Sequence, residues 1–129
     1  MKRLKRPFAL IAIVMAGPLL AACGGASPTP AGTPAVTLPL TAKNLAFDEA
    51  TMAVPADQTF AITLDNEDAV PHNVAITGNG QSRTSEPFIG PATKTFTYAA
   101  LPAGTYTFLC SVHTDMKGTL NVTASGSTP

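Results

Sequence analysis

Gly104-Thr-Tyr-Thr-Phe-Leu-Cys110-Ser-Val-His113-Thr-Asp-Met116-Lys-Gly118-Thr-Leu-Asn-Val122 is the stretch that decides how this chain reads. Tyr106, Phe108 and Cys110 occupy alternate positions, with threonines between them, so one face is apolar and the other polar. Leu120 and Val122 resume the pattern further on. An apolar period of two with a Thr-rich outer face marks half-buried strands. The stretch is therefore a strand, a tight loop from Cys110 to Met116, and a second strand. That loop places a thiol, an imidazole and a thioether in the form C-x2-H-x2-M.

The same period recurs upstream. Phe60, Ile62 and Leu64 alternate with Thr59, Ala61 and Thr63. Val74 and Ile76 share a face, and so do Phe96 and Tyr98. Val36 to Leu40, interrupted by Pro39, and Ala46 to Val54 are weaker candidates for the first strands. Turn-forming runs separate these segments: Pro55-Ala-Asp57, Asp65-Asn-Glu-Asp68, Gly78-Asn-Gly80 and Pro102-Ala-Gly104. No long segment shows an apolar stripe at helical spacing. About seven to eight strands in roughly 90 residues indicate an all-β protein, an antiparallel Greek-key β-sandwich. The polar connection from Gly78 to Pro91 leaves room for an irregular excursion or a short helical turn.

The ends have a different character. Lys2-Arg-Leu-Lys-Arg6 precedes an apolar run from Phe8 to Ala22, which closes on Leu20-Ala-Ala-Cys23. The run is short for a membrane span and fits a removable signal peptide over residues 1–22. Its last four residues resemble the lipobox of bacterial lipoproteins, which implies acylation of Cys23 and a lipid anchor. The other reading is an ordinary signal peptide with an incidental Cys. Residues 23–35, with Pro28, Pro30 and Pro34, form a linker that spans roughly 35 Å when extended. A single folded domain over 36–124 and a frayed tail over 125–129 complete the expected organisation.

Loss of residues 1–22 removes four of the eight basic residues and none of the eight acidic ones, leaving a net charge of −4. That balance argues against nucleic acid as a partner. If Cys23 carries lipid, Cys110 has no partner for a disulfide in an oxidising compartment. Its thiol is then a metal ligand or a buried inert side chain. A Cys23–Cys110 bridge requires the lipobox reading to fail.

The chain has two histidines, His72 and His113, and beyond the leader two methionines, Met52 and Met116. If the strand opened by His72 lies antiparallel beside the strand ending at Cys110, His72 meets the loop at the same rim. A thiolate, two imidazoles and a thioether then converge, a set that suits a redox-active copper. Zinc also accepts Cys and His, but a Met ligand is odd for it. Cys–His nucleophilic catalysis needs an orienting group and an oxyanion site, for which the sequence offers no support. Met52, Tyr106 and Phe108 are core residues first, and Met52 is a substitute axial donor if Met116 points away. Asp65, Glu67 and Asp68 read most simply as a solvated turn.

These residues resemble the cupredoxin family, close in pattern to its plastocyanin and amicyanin members. The resemblance covers about residues 36–124. It rests on Pro71-His72-Asn73-Val74, on the strand into Cys110, and on the ligand loop with Lys117-Gly118-Thr-Leu120. It implies one type 1 copper ion held by His72, Cys110 and His113, with Met116 as the weak axial ligand. It implies that Asn73 ties the two ligand segments together, with Ser111 as its partner. The two-residue gap between His113 and Met116 is as in amicyanin, Val112 stands where many relatives have Pro, and Asp115 puts a carboxylate inside the loop. The expected function is one-electron transfer between extracytoplasmic redox proteins, leaving through the His113 edge, and not enzymatic turnover. The expected partners are transient redox proteins, and the membrane through the lipid. The expected form is a monomer, exported and anchored on the outer face of the cytoplasmic membrane or in the periplasm or outer membrane. The alternative is a lipoprotein for copper storage or delivery.

Overall fold

The computed structural model describes residues 32–124. The signal segment, Cys23, most of the linker and the tail lie outside the described residues.

Eleven strands and no helix make up the described chain: β1 (Thr37–Lys43), β2 (Ala46–Phe47), β3 (Thr51–Pro55), β4 (Phe60–Asn66), β5 (Pro71–His72), β6 (Ala75–Gly78), β7 (Gln81–Thr84), β8 (Phe88–Ile89), β9 (Ala92–Tyr98), β10 (Gly104–Leu109) and β11 (Lys117–Thr123). One sheet has the order β2-β1-β4-β9 and the other β3-β11-β10-β6-β7, while β5 and β8 form a short ribbon. The apolar faces of the two sheets meet in one core that includes Leu40, Phe60, Ile62, Leu64, Ile76, Tyr106, Phe108, Leu120 and Val122. Met52 joins that core as a buried side chain.

The β-sandwich expected from the period-two runs stands, but two of its pairings depart from an all-antiparallel arrangement. β1 runs parallel to β4, and β3 parallel to β11. The reason lies in residues 46–54, read above as one weak strand. The chain pairs with β1 at Ala46–Phe47 and then crosses to the opposite sheet as β3. Side-chain period reports which face is buried, not which neighbour a strand selects, so this crossing leaves no pattern. Pro39 does not interrupt β1. Val36 O accepts from Ala61 N–H, so the alternation of the strand turns position 39 toward the open edge, where a missing N–H costs nothing.

The polar connection from Gly78 to Pro91 holds strands rather than a helical turn. Gly78 and Gln81 pair across a two-residue hairpin in which Asn79 and Gly80 take φ of 49° and 73°. Such left-handed pairs suit the twist of hairpin strands, and Asn-Gly adopts them readily. Gly118 is required for a different reason: a Cβ there would run into the Phe108 ring and lie 2.7 Å from Ala50 O. Its lack of a side chain lets β11 close over the aromatic residue that leads into the ligand loop.

Tyr98 caps the core by stacking on Phe60, with ring centroids 5.4 Å apart. Its hydroxyl donates to Val74 O at 3.0 Å. Burial pushes its ionisation up to about 12, outweighing a hydrogen bond with Ser85 that favours the charged form. An unfolded tyrosine ionises near about 10, so the native state holds the proton more tightly. The stabilisation is complete below about pH 10 and is lost as pH rises through about 12, at ~1.4 kcal/mol per unit between them. Denaturant titrations across that window should show the fall, and Tyr98→Phe should flatten it. An equal slope in the variant would assign the loss to another group.

Candidate metal centre

β10 and β11 pair in register from Gly104 opposite Val122 to Leu109 opposite Lys117. The ligand loop is what remains between them. Cys110 N–H donates to Met116 O at 2.9 Å, and Met116 N–H donates to His113 O at 3.0 Å. These two bonds pull the loop into a closed turn that returns its side chains to the sandwich rim.

His72 arrives from the neighbouring segment. β6 pairs antiparallel with β10, as expected from the sequence. His72, however, does not sit on one continuous strand with Val74 and Ile76. The β6–β7 ladder pairs Ala75 with Thr84, whereas the β5–β8 ribbon pairs His72 with Phe88. Two residues therefore lie between these pairs on one side and three on the other, which makes a β-bulge. A bulge bends its strand and re-aims side chains. Here residues 72–76 are all buried instead of alternating. Val74 N–H donates to Ser85 Oγ, and Ser85 N–H donates to Val74 O, so two hydrogen bonds bridge the break.

The three donors meet. His72 Nδ1 and His113 Nδ1 are 3.2 Å apart, and Cys110 Sγ lies 3.7 Å from the first and 3.9 Å from the second. A point equidistant from all three lies about 2.1 Å from each, in the ordinary range of metal–nitrogen bonds. His72 and Cys110 are 0% exposed, while His113 is half-buried. Met116 is 2% exposed, and its side chain belongs to the core beneath the loop. Three soft or borderline donors thus converge on one point, two of them sealed from water, as a shared cation would require. The donor set fits copper.

Asn73 and Ser111 join the two ligand segments. Ser111 N–H donates to Asn73 Oδ1 at 2.8 Å, and Asn73 Nδ2 donates to Ser111 Oγ and to Ser85 O, both at 2.9 Å. The residues after His72 and after Cys110 are thereby locked to each other. Asp115 is exposed on the loop.

One residue of this site was not legible as such in the sequence. Asp68, read with Asp65 and Glu67 as a solvated turn, places Oδ2 2.9 Å from His72 Nε2. Its carboxyl is held below the usual carboxylate range by the Leu45 amide, the His72 ring and the Asn44 amide, in that order. The available signal was its position four residues before a candidate ligand, since ligating histidines commonly give their second ring N–H to a carboxylate. Glu67 does face solvent, paired with Lys43.

A β-sandwich with two imidazoles and a thiolate converging at one rim, and a methionine closing the loop, has the arrangement of a type 1 copper protein. The chain belongs to the cupredoxin-like domain family, whose model matches residues 10–122. No curated protein matches it in sequence. Among solved structures it is similar to reduced auracyanin from the photosynthetic bacterium Roseiflexus castenholzii, at 24% identity and a TM-score of 0.61, over 70% of this chain and 99% of that one. It is similar to auracyanin A, a "blue" copper protein from Chloroflexus aurantiacus, at 25% identity and a TM-score of 0.58, over 67% and 98%. It also resembles a reduced Cu(I) form of an amicyanin variant, at 18% identity and a TM-score of 0.54, over 67% and 82%.

Proposed function

We propose that this protein carries single electrons between extracytoplasmic redox proteins. The observation that carries the reading is the convergence of His72 Nδ1, Cys110 Sγ and His113 Nδ1 within 4.8 Å of one another. Bound by these residues and Met116, copper would supply a one-electron Cu(I)/Cu(II) couple. The chain's part is to keep its donors still. The Asn73–Ser111 bonds, the bonded bulge and the closed loop hold the ligands in one geometry, so a change of oxidation state moves few atoms. His113 offers the exit, because it alone of the clustered donors reaches toward solvent. Val112, 44% exposed, sits beside it and suits brief apolar contact with a partner. Residues 1–23 support export and a lipid anchor, with the domain held near the outer face of a membrane.

The test is to add Cu(II) to the purified chain and record its visible spectrum and its potential. An intense thiolate-to-copper band with a reversible one-electron wave is the expected result. A colourless protein that takes only Cu(I) and passes it on would replace this reading with copper handling. Failure to take up stoichiometric copper would remove both.

A further inference from the structure

The two histidines of the centre are held very differently. His113 Nδ1 faces the other donors, and among the described residues its ring meets no carboxylate. His72 is fully buried, and its Nε2 lies 2.9 Å from Asp68 Oδ2. An ionised carboxylate can only accept, so the nitrogen facing it, Nε2, is the one that carries a proton, and in the neutral ring Nδ1 is then the bare nitrogen toward Cys110 and His113.

Asp68 is itself tied down on every side. Asn44 N–H donates to Oδ1 at 2.8 Å, and Leu45 N–H donates to Oδ2 at 3.0 Å. Both donors lie in the β1–β2 turn, where Asn44 and Leu45 take φ of 54° and 58°. That unusual turn points two successive amides at one carboxylate. The Asp68 N–H donates to Asn66 Oδ1 at 3.0 Å, and Asn66 Nδ2 donates to Val70 O and Phe88 O, each at 2.9 Å. Asn66 is fully buried, so the turn that presents Asp68 is anchored in the core. The side chain of Asp68 is only 16% exposed, which leaves little water to screen its charge from the ring.

From this arrangement we propose that Asp68 is a positioning residue for the copper centre: it fixes His72 with Nδ1 as the donor and biases the site toward Cu(II). The inference rests on the copper reading above. A negative charge bonded to one ligand ring makes that ring a stronger donor, and it favours the more highly charged oxidation state. The wild-type site should then bind Cu(II) over Cu(I) more strongly than a site without the carboxylate.

Two measurements on the full chain test this. In the metal-free chain, at a pH well above the ordinary imidazole range, nitrogen–proton correlations should place the His72 proton on Nε2. Asp68→Ala should mix the tautomers, and a wild-type proton on Nδ1 would overturn the proposal. In the copper-loaded chain, Asp68→Asn keeps the shape and one oxygen acceptor for the ring and the Leu45 amide, but loses the charge and the bond from the Asn44 amide. Its preference for Cu(II) over Cu(I) should fall about tenfold, which is a rise of about 59 mV for one electron. The visible band should persist, since Cys110 is untouched. Glu67→Gln removes an equal charge from the surface ion pair with Lys43 without touching the ring, and should leave the preference unchanged. An unchanged preference in Asp68→Asn, or an equal change in Glu67→Gln, would overturn the assignment. A chain that takes up no copper would defeat the copper reading, while the ring-proton measurement would still decide where Asp68 sets the proton.

Discussion

Cys110→Ser is expected to abolish the intense visible absorption of the copper-loaded chain while the sandwich stays folded. The absorption needs a thiolate sulfur bonded to copper, and Cys110 is the free cysteine among the described residues. Serine offers a neutral hydroxyl in its place, a hard and weakly acidic donor that suits copper poorly beside two imidazoles. The fold should tolerate the change because the side chains are close in size and the loop is closed by backbone bonds from Cys110 to Met116 and from Met116 to His113. A buried hydroxyl with poor partners costs about 1–3 kcal/mol, against a typical domain stability of about 5–15 kcal/mol. A Cu(II) titration followed in the visible, with thermal melts of both metal-free proteins, checks both halves. Persistence of the band would take the thiolate out of the centre. Loss of cooperative melting would make Cys110 a structural thiol first.

The largest loss of stability is expected from Phe108→Ala. Phe108 is fully buried in β10, two positions before Cys110, which follows the end of that strand. Its ring packs 5.7 Å from that of Phe47, centroid to centroid, and over the space left by Gly118. Truncation removes the ring from the seam where β2, β10 and β11 meet, and Gly118 has no side chain to fill the gap. Such substitutions cost about 3–5 kcal/mol. For a domain of this size that lowers the melting temperature by roughly 12 to 40 °C. Denaturant unfolding of the metal-free chain measures it directly. A loss under about 1 kcal/mol would mean that neighbouring side chains collapse into the gap. Copper should recover part of the loss, because it binds the folded state.

The pairing partners of the strands show where reading the sequence stops. Tyr106, Phe108, Leu120 and Val122 announce their faces by period two, and all four are buried in the core. The parallel neighbours β1–β4 and β3–β11 announce nothing, because an exposed edge and a paired edge carry the same side-chain alternation. The break after His72 is likewise silent: the extra residue opposite it lies in the 84–88 segment, whose sequence shows only a polar connection. The Asn73–Ser111 link could be anticipated from the resemblance, whereas the Asp68–His72 link could not be separated from an ordinary acidic turn.

By itself the sequence determined the donor types and their spacing in the loop Cys110 to Met116, and the alternating apolar faces of the strands around it. These are local properties, set by residue chemistry and by the two-residue repeat of an extended chain. The tertiary structure decided which distant groups complete the centre. His72 is 38 residues from Cys110, and Asp68 reaches it only because the β1–β2 turn and the core-anchored Asn66 hold its carboxylate in place. Such contacts depend on how strands choose neighbours across the sandwich, a choice made by the packing of the whole core and not by any single segment.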